Sequence, residues 1–233
     1  MLRLLQFIVN LNIPTSMHDV IAVFGATGRT GRPLVKKALA AGYTVRALVR
    51  NPSKLGFSDP KLHLIQGDAL DSQKVKETIA GTSGVISLLG PDKNSPPDFL
   101  TRATRHIVQA MKREGIRRLM TLTGGGVRDE GRDKPGFVDN LIVFIMKNLA
   151  GKGPRNALFD GIEHAKEVKA SGLDWTIVRG PVLTEDPARG SYQIGNVGTV
   201  KGIKLTREDL ADFMLKEFAE KKHLGQMPFL TNG

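Results

Sequence analysis

Short apolar runs alternate with segments of helical period along the chain, the pattern of βαβ units feeding a parallel sheet. Val20–Phe24 is an unbroken apolar run stopped by Gly25, as a strand buried on both faces requires. Apolar positions at helical spacing follow over Pro33–Ala41 and stop at Gly42, a natural C-cap. Val45–Val49 and Leu62–Gln66 predict the second and third strands, the latter closed by Gly67-Asp68. Ser72–Ala80 reads as a helix with Ser72 as N-cap, and Val85–Leu89 as a fourth strand closed by Gly90-Pro91. A long helix from about Asp98 to Arg113 precedes a fifth strand, Arg118–Thr123, which ends in Gly124-Gly125-Gly126. Residues 127–157 are less regular: a polar loop, the apolar stretch Leu141–Met146, then Gly151-Lys152-Gly153-Pro154. Phe159–Ala170 is helical and Trp175–Val178 is the sixth strand. Thr206–Lys221 is the clearest helix, with Thr206 and Asp209 resembling a capping box, and Met227–Leu230 is a short last strand.

The first strand-to-helix turn carries Gly25-Ala26-Thr27-Gly28-Arg29-Thr30-Gly31. A strand, a glycine-rich loop and a helix in that order make a phosphate cradle: Gly25 permits the tight turn, Gly28 lets backbone approach a pyrophosphate, and Gly31 lets the helix pack on the strand. The unpaired N–H groups and dipole at the helix start favour the anion. The alternative is a glycine turn without a ligand. The whole pattern predicts an α/β, Rossmann-type doubly wound, mostly parallel sheet. Helices cover both faces, and a small C-terminal region lies on the substrate side. No repeat or linker divides residues 19–233, which are expected to form a single domain.

Composition changes this picture little. There are 34 Lys and Arg against 23 Asp and Glu, a net charge of +11, and no cysteine. The missing thiols exclude disulfides, thiolate metal sites and cysteine nucleophiles, and fit a reducing, cytoplasmic compartment. The five histidines show no metal-ligand spacing, so no metal site is expected. The basic residues are spread out, without helix-turn-helix, zinc or aromatic-basic signatures; no nucleic-acid partner is expected. The run at Met1–Met17 is too short and interrupted to span a bilayer. Residues 1–18 read as an extension outside the fold, with Met17 a second candidate start. No stable membrane insertion is expected, and the chain is read as a monomer or homodimer.

The spacing Gly-x-x-Gly-x-x-Gly in Gly-Ala-Thr-Gly-Arg-Thr-Gly resembles the atypical short-chain dehydrogenase/reductases. Within them the chain is similar to the NAD(P)H-binding, NmrA-like group that includes biliverdin-IXβ reductase (flavin reductase). Val49-Arg50-Asn51-Pro52-Ser53-Lys54, Gly67-Asp68-Ala69, Ser171–Thr176 and Thr206–Asp212 support the resemblance. NAD binders place an acid at the end of the second strand, on the ribose 2′-OH. Arg50 stands there instead, with Lys54 four residues on and Arg29 in the loop. A guanidinium pairs with a 2′-phosphate that an acid would repel, so NADP(H) is expected over NAD(H). The duller reading of Arg50 is a solvated strand-end charge. The resemblance also implies that Arg50 and Lys54 hold the 2′-phosphate and that Asp68 and Ala69 border the adenine, although Asp68 equally suits a turn. Leu88, Leu89 and Gly90 end strand four at the carboxyl edge, where ligands lie. Pro181 and Val182 resemble the segment that closes over the nicotinamide. Gly25, Thr27, Gly28, Arg29, Thr30 and Gly31 complete the cofactor set.

The usual proton donor of such reductases is missing. A Tyr-x-x-x-Lys pair would use Lys166, but the residue four earlier is Ile162. In the branch it resembles, a Thr-Ser pair follows strand five; here Thr123 precedes Gly124. Thr123 either contacts the nicotinamide or substrate, or simply ends a strand. Thr123 and Lys166 are the catalytic candidates; His164 reads as core or surface, and Asp160 and Glu163 as a solvated face. Hydride transfer to a flavin, quinone or similar flat acceptor needs little acid catalysis and fits this site. The other reading is a non-catalytic NADP(H)-binding regulator or scaffold.

Overall fold

Residues 19–233 are described by a computed structural model; the extension over residues 1–18 lies outside the described residues. The strands are β1 (Val20–Phe24), β2 (Thr44–Val49), β3 (Leu62–Gln66), β4 (Gly84–Ser87), β5 (Arg118–Gly124), β6 (Asp174–Gly180), β7 (Val182–Thr184), β8 (Gln193–Gly195), β9 (Lys204–Thr206) and β10 (Phe229–Thr231). Eight of them form one sheet in the order β3-β2-β1-β4-β5-β6-β10-β8, while β7 and β9 pair separately. All ladders are parallel except that between β10 and β8. Strand order reverses between β1 and β4, the switch point at whose carboxyl ends this architecture opens a crevice.

The helices are α1 (Gly31–Ala40), α2 (Ser72–Ile79), α3 (Phe99–Arg113), α4 (Phe137–Asn148), α5 (Lys152–Lys169) and α6 (Arg207–Glu220). Alternate strand residues point to opposite faces, so the sheet builds two cores. On one face Ile21, Val23 and Ile86 meet Leu34 of α1 and Leu210 and Met214 of α6. On the other Ala22, Phe24 and Val85 meet Val75 of α2, Met111 of α3 and Val168 of α5. This two-sided burial is why β1 reads as continuously apolar rather than alternating.

Three local expectations are corrected. The N-cap of α2 is Asp71, whose carboxylate accepts from the amides of Gln73 (2.9 Å) and Lys74 (3.2 Å); Ser72 is already helical. Asp160 is not on a solvated face. It is 5% exposed and caps α3 from α5, accepting from the Leu100 amide at 2.7 Å, the Thr101 amide at 2.9 Å and the Thr101 hydroxyl at 2.6 Å. These bonds satisfy amides of the first helical turn, which have no partner within the helix. Residues 127–157 are more regular than their pattern suggests, because they contain α4 and the first turns of α5. The cap of α6 realises half of its sequence signature: the Thr206 hydroxyl accepts from the Asp209 amide at 3.0 Å, but the Thr206 amide donates to the Asn232 side chain at 2.7 Å rather than to Asp209, so the box is not closed.

Candidate functional site

The glycine turn is built as a tight cradle between β1 and α1. Gly25 has φ +80°, and a Cβ there would lie 2.6 Å from the Leu88 carbonyl oxygen. A Cβ on Gly31 would lie 2.1 Å from the Gly25 carbonyl oxygen, so α1 starts closer to the strand than any side chain allows. The Gly28 amide donates to the Gly25 carbonyl at 3.0 Å and closes the turn. Gly28 and Arg29 are exposed, Thr27 is half-buried and Thr30 is buried. The loop therefore presents backbone at the start of α1 without filling the space above it, the arrangement a pyrophosphate requires.

Cations ring this turn. The Thr30 hydroxyl accepts from Arg207 at 3.0 Å, and Glu185 bridges Arg207 (3.0 Å) and Arg29 (3.4 Å). Arg32 donates to the Lys54 carbonyl and ties α1 to the turn after β2. That turn is a single 3₁₀ segment, Pro52–Leu55, whose start is capped by the Asn51 side chain on the Ser53 amide at 3.1 Å. Arg50 directly follows β2, its side chain 63% exposed and 2.8 Å from Asp92. The Arg50 guanidinium, with the Asn94 amide and Ser95 hydroxyl, holds the Asp92 carboxyl down to about 2. Arg32, Arg207, Glu185 and Asp92 were not anticipated. Arg207 lies within the quoted Thr206–Asp212 stretch, but its contact with Thr30 spans 177 residues and has no local signal.

Around the carboxyl edge, Asp68 forms a turn: its carboxylate accepts from the Leu70 amide at 2.8 Å. Ala69 is buried, and its carbonyl lies 3.2 Å from His106 Nδ1. Leu88 and Leu89 follow β4 and pack into opposite cores, and Gly90 is exposed beyond them. The 91–97 loop and the start of α5 border an open cleft of about 680 Å³, lined by Asp92, Pro96, Lys152, Pro154 and Asn156. A smaller cavity of about 230 Å³ lies among Arg29, Arg32, Glu185 and Arg207.

Thr123 sits near the end of β5, 8% exposed and in register with Arg179 of β6. α5 passes it at Gly161, where a Cβ would come within 3.0 Å of the Thr123 hydroxyl. Lys166 lies elsewhere on α5: its side chain is 66% exposed and its ammonium is 2.7 Å from Glu163. The face of α5 that reaches the sheet carries Gly161, His164 and Val168 instead. Pro181 is half-buried, and Val182 opens β7 with most of its surface exposed. Arg179, fully buried, donates to Asp133 at 2.6 and 2.9 Å, to the Met227 carbonyl at 2.7 Å and to the Val127 carbonyl at 3.1 Å. Burial pushes the Asp133 carboxyl up, but Arg179 and the Asp129 and Val197 amides outweigh it and hold the group below its usual range. The loop after β5 is thereby clamped to β6 and to the chain before β10.

His164 is fully buried between two hydroxyls, with Nδ1 2.7 Å from Thr104 and Nε2 3.2 Å from Thr121. The Thr104 proton goes to the Leu100 carbonyl at 2.7 Å, so Thr104 accepts from Nδ1–H and Nε2 accepts from Thr121. Both nitrogens are satisfied in the neutral ring, and burial lowers its pKa to about 4. The unfolded ring titrates near 6.5, so the contribution to stability is complete above that pH and is lost as pH falls toward 4. The loss between pH 7.5 and pH 5 is expected to be about 2 kcal/mol. Urea unfolding across that range should show a shallower pH dependence in His164→Gln; an unchanged slope would rule out this titration. Among the described residues, no three His, Cys, Asp or Glu side chains gather as a metal site.

The chain is 30% identical to cinnamoyl-CoA reductase 1 of Petunia hybrida over 188 residues, covering 72% of this chain and 55% of that protein. It is 25% identical to an uncharacterized chloroplastic protein of Arabidopsis thaliana over 211 residues, covering 87% and 72%. The chain thus spans about half the length of the petunia reductase. A short-chain dehydrogenase/reductase of Veillonella parvula, solved with NADP, superposes with a TM-score of 0.73 at 17% identity over 92% of this chain and 94% of that one. That likeness shows the shared Rossmann fold. The family model described as NAD(P)H-binding matches residues 25–221, from the first glycine of the cradle to the end of α6, and the chain belongs to that NAD(P)H-binding family.

Proposed function

We propose that this protein is an NADPH-dependent reductase that passes hydride to a flavin, a quinone or a similar flat acceptor. The observation that carries the cofactor choice is Arg50 at the carboxyl end of β2, where a carboxylate would serve NAD(H). Lys54 in the adjoining turn, and Arg32 reaching it from α1, add positive charge. The bare start of α1 and the cations Arg29 and Arg207 suit the pyrophosphate. NADPH, when bound, would supply the hydride, that is two electrons and one proton, and solvent would supply the second proton of the dihydroflavin or quinol. The chain's own work is positional. The clamp of Arg179 on the loop after β5 fixes the backbone beside Thr123, and Thr123 offers a hydroxyl at the strand end.

Ile162 in place of a tyrosine, together with an exposed Lys166, argues against a carbonyl reduction that needs a strong proton donor. The same two features favour a second reading, a nucleotide-binding regulator without turnover. Titration with NADPH and NADH should show tighter NADPH binding, and NADPH should be consumed with FMN or a soluble quinone. Equal affinity for the two coenzymes would remove the cofactor assignment. Tight NADPH binding without consumption across a flavin and quinone panel would leave the regulator. A reducing compartment such as the cytoplasm suits a chain without cysteine.

A further inference from the structure

Helix α4 inverts the usual pattern of a surface helix. Its inward stripe is Asp139, Val143 and Met146, all half-buried, with Val143 and Met146 resting against the core beneath α5. The opposite arc should be polar. It carries Phe137, Val138, Leu141, Ile142, Phe144 and Ile145, from 38% to 81% exposed, and no residue of the helix is buried. Leu149 just beyond is 70% exposed and Phe159 on α5 is 45% exposed. A contiguous apolar arc of this kind marks a surface that meets something other than water.

The surrounding charge says what. Asp139, the only acid of α4, is turned to its own cap, accepting from the Gly136 amide at 2.9 Å. The exposed charges beside the apolar arc are mainly basic: Lys147, Lys152 and Arg155, the last stacked 5.8 Å from the centre of the Phe159 ring, while Glu163 one turn beyond Phe159 is paired with Lys166 at 2.7 Å. Two copies of a chain of net charge +11 repel one another, whereas an anionic surface attracts both the patch and the whole molecule. Among the described residues no helix is long and apolar enough to cross a membrane, so α4 would lie in the headgroup layer. We infer that α4 is a peripheral docking helix that seats this protein on a bilayer leaflet carrying anionic headgroups. The inference is independent of the hydride chemistry proposed above.

Vesicle flotation of the full chain tests it, with phosphatidylcholine alone or with about 30% phosphatidylglycerol. The protein should float only with the anionic vesicles, and less as salt rises. Phe144→Glu/Ile145→Glu should lower the apparent affinity by at least about tenfold, by placing two carboxylates on the apolar arc. Lys147→Glu/Arg155→Glu should abolish the preference for anionic lipid. All four side chains are exposed, so melting temperature and NADPH affinity should stay at the parent values, as a check on folding. No flotation of the parent chain would overturn the inference, as would flotation unaffected by the Phe144/Ile145 pair. A dimer in light scattering that those variants dissociate, with vesicles ignored, would overturn it in favour of self-association.

Discussion

Arg179→Met is expected to destabilise the protein by about 3–5 kcal/mol, because it strands the Asp133 carboxylate in the interior. Arg179 is fully buried and makes four contacts on two segments: both oxygens of Asp133 and the Val127 carbonyl on the loop after β5, and the Met227 carbonyl before β10. Methionine fills much of the same volume, so the loss is electrostatic rather than a cavity. Asp133 keeps the amides of Asp129 (2.7 Å) and Val197 (3.0 Å), too few donors to replace a bidentate guanidinium. Arg179→Met/Asp133→Leu should therefore recover part of the loss, and the recovery should be incomplete because those two amides lose their acceptor. Urea midpoints for the two variants decide the matter. A single variant within about 1 kcal/mol of the parent would show that the clamp contributes little.

Charge reversal at Arg50 acts on recognition instead. Arg50→Asp should weaken NADPH binding by about 100-fold, or about 2.7 kcal/mol, while changing NADH affinity by less than about threefold. The coenzymes differ only in the 2′-phosphate, so the ratio isolates the contact at the end of β2. Arg50 is largely exposed, and its pair with Asp92 is held in solvent, so the variant should fold normally. Fluorescence titration of both coenzymes reads the ratio; unchanged NADPH affinity would sever the link between Arg50 and the cofactor.

The parts of this molecule that could be read from the chain are those whose cause is local. β1 announces itself because both its faces are buried, and the cradle because Gly25 and Gly31 must approach backbone more closely than a Cβ permits. Thr206 caps α6 three residues away, within reach of a sequence pattern. Asp160 is different: it caps α3 across 60 residues, and its neighbours Glu163 and Lys166 are solvated, so the sequence window suggested a solvated face. The Arg50–Asp92 pair and the Arg207–Thr30 contact are invisible for the same reason. α4 was legible only as the apolar stretch Leu141–Met146, readable equally as a packed helix or a dimer surface, because an arc apolar on the solvent side erases the periodicity by which a surface helix is recognised. β7, β8 and β9 are three residues each, too short for alternation to show. For the proposed cofactor set, the glycines and Arg50 were legible as types at positions, whereas the placement of Lys166 on the outward side of α5 depends on how that helix is rotated against the sheet.

The cap that Asp160 places on α3 has a consequence for how the molecule breathes. The amides of Leu100 and Thr101 are covered only while α5 lies against α3, because their acceptor belongs to α5. The two helices are therefore expected to open as one cooperative unit, and deuterium uptake at residues 100 and 101 should report the detachment of a helix that begins only at Lys152.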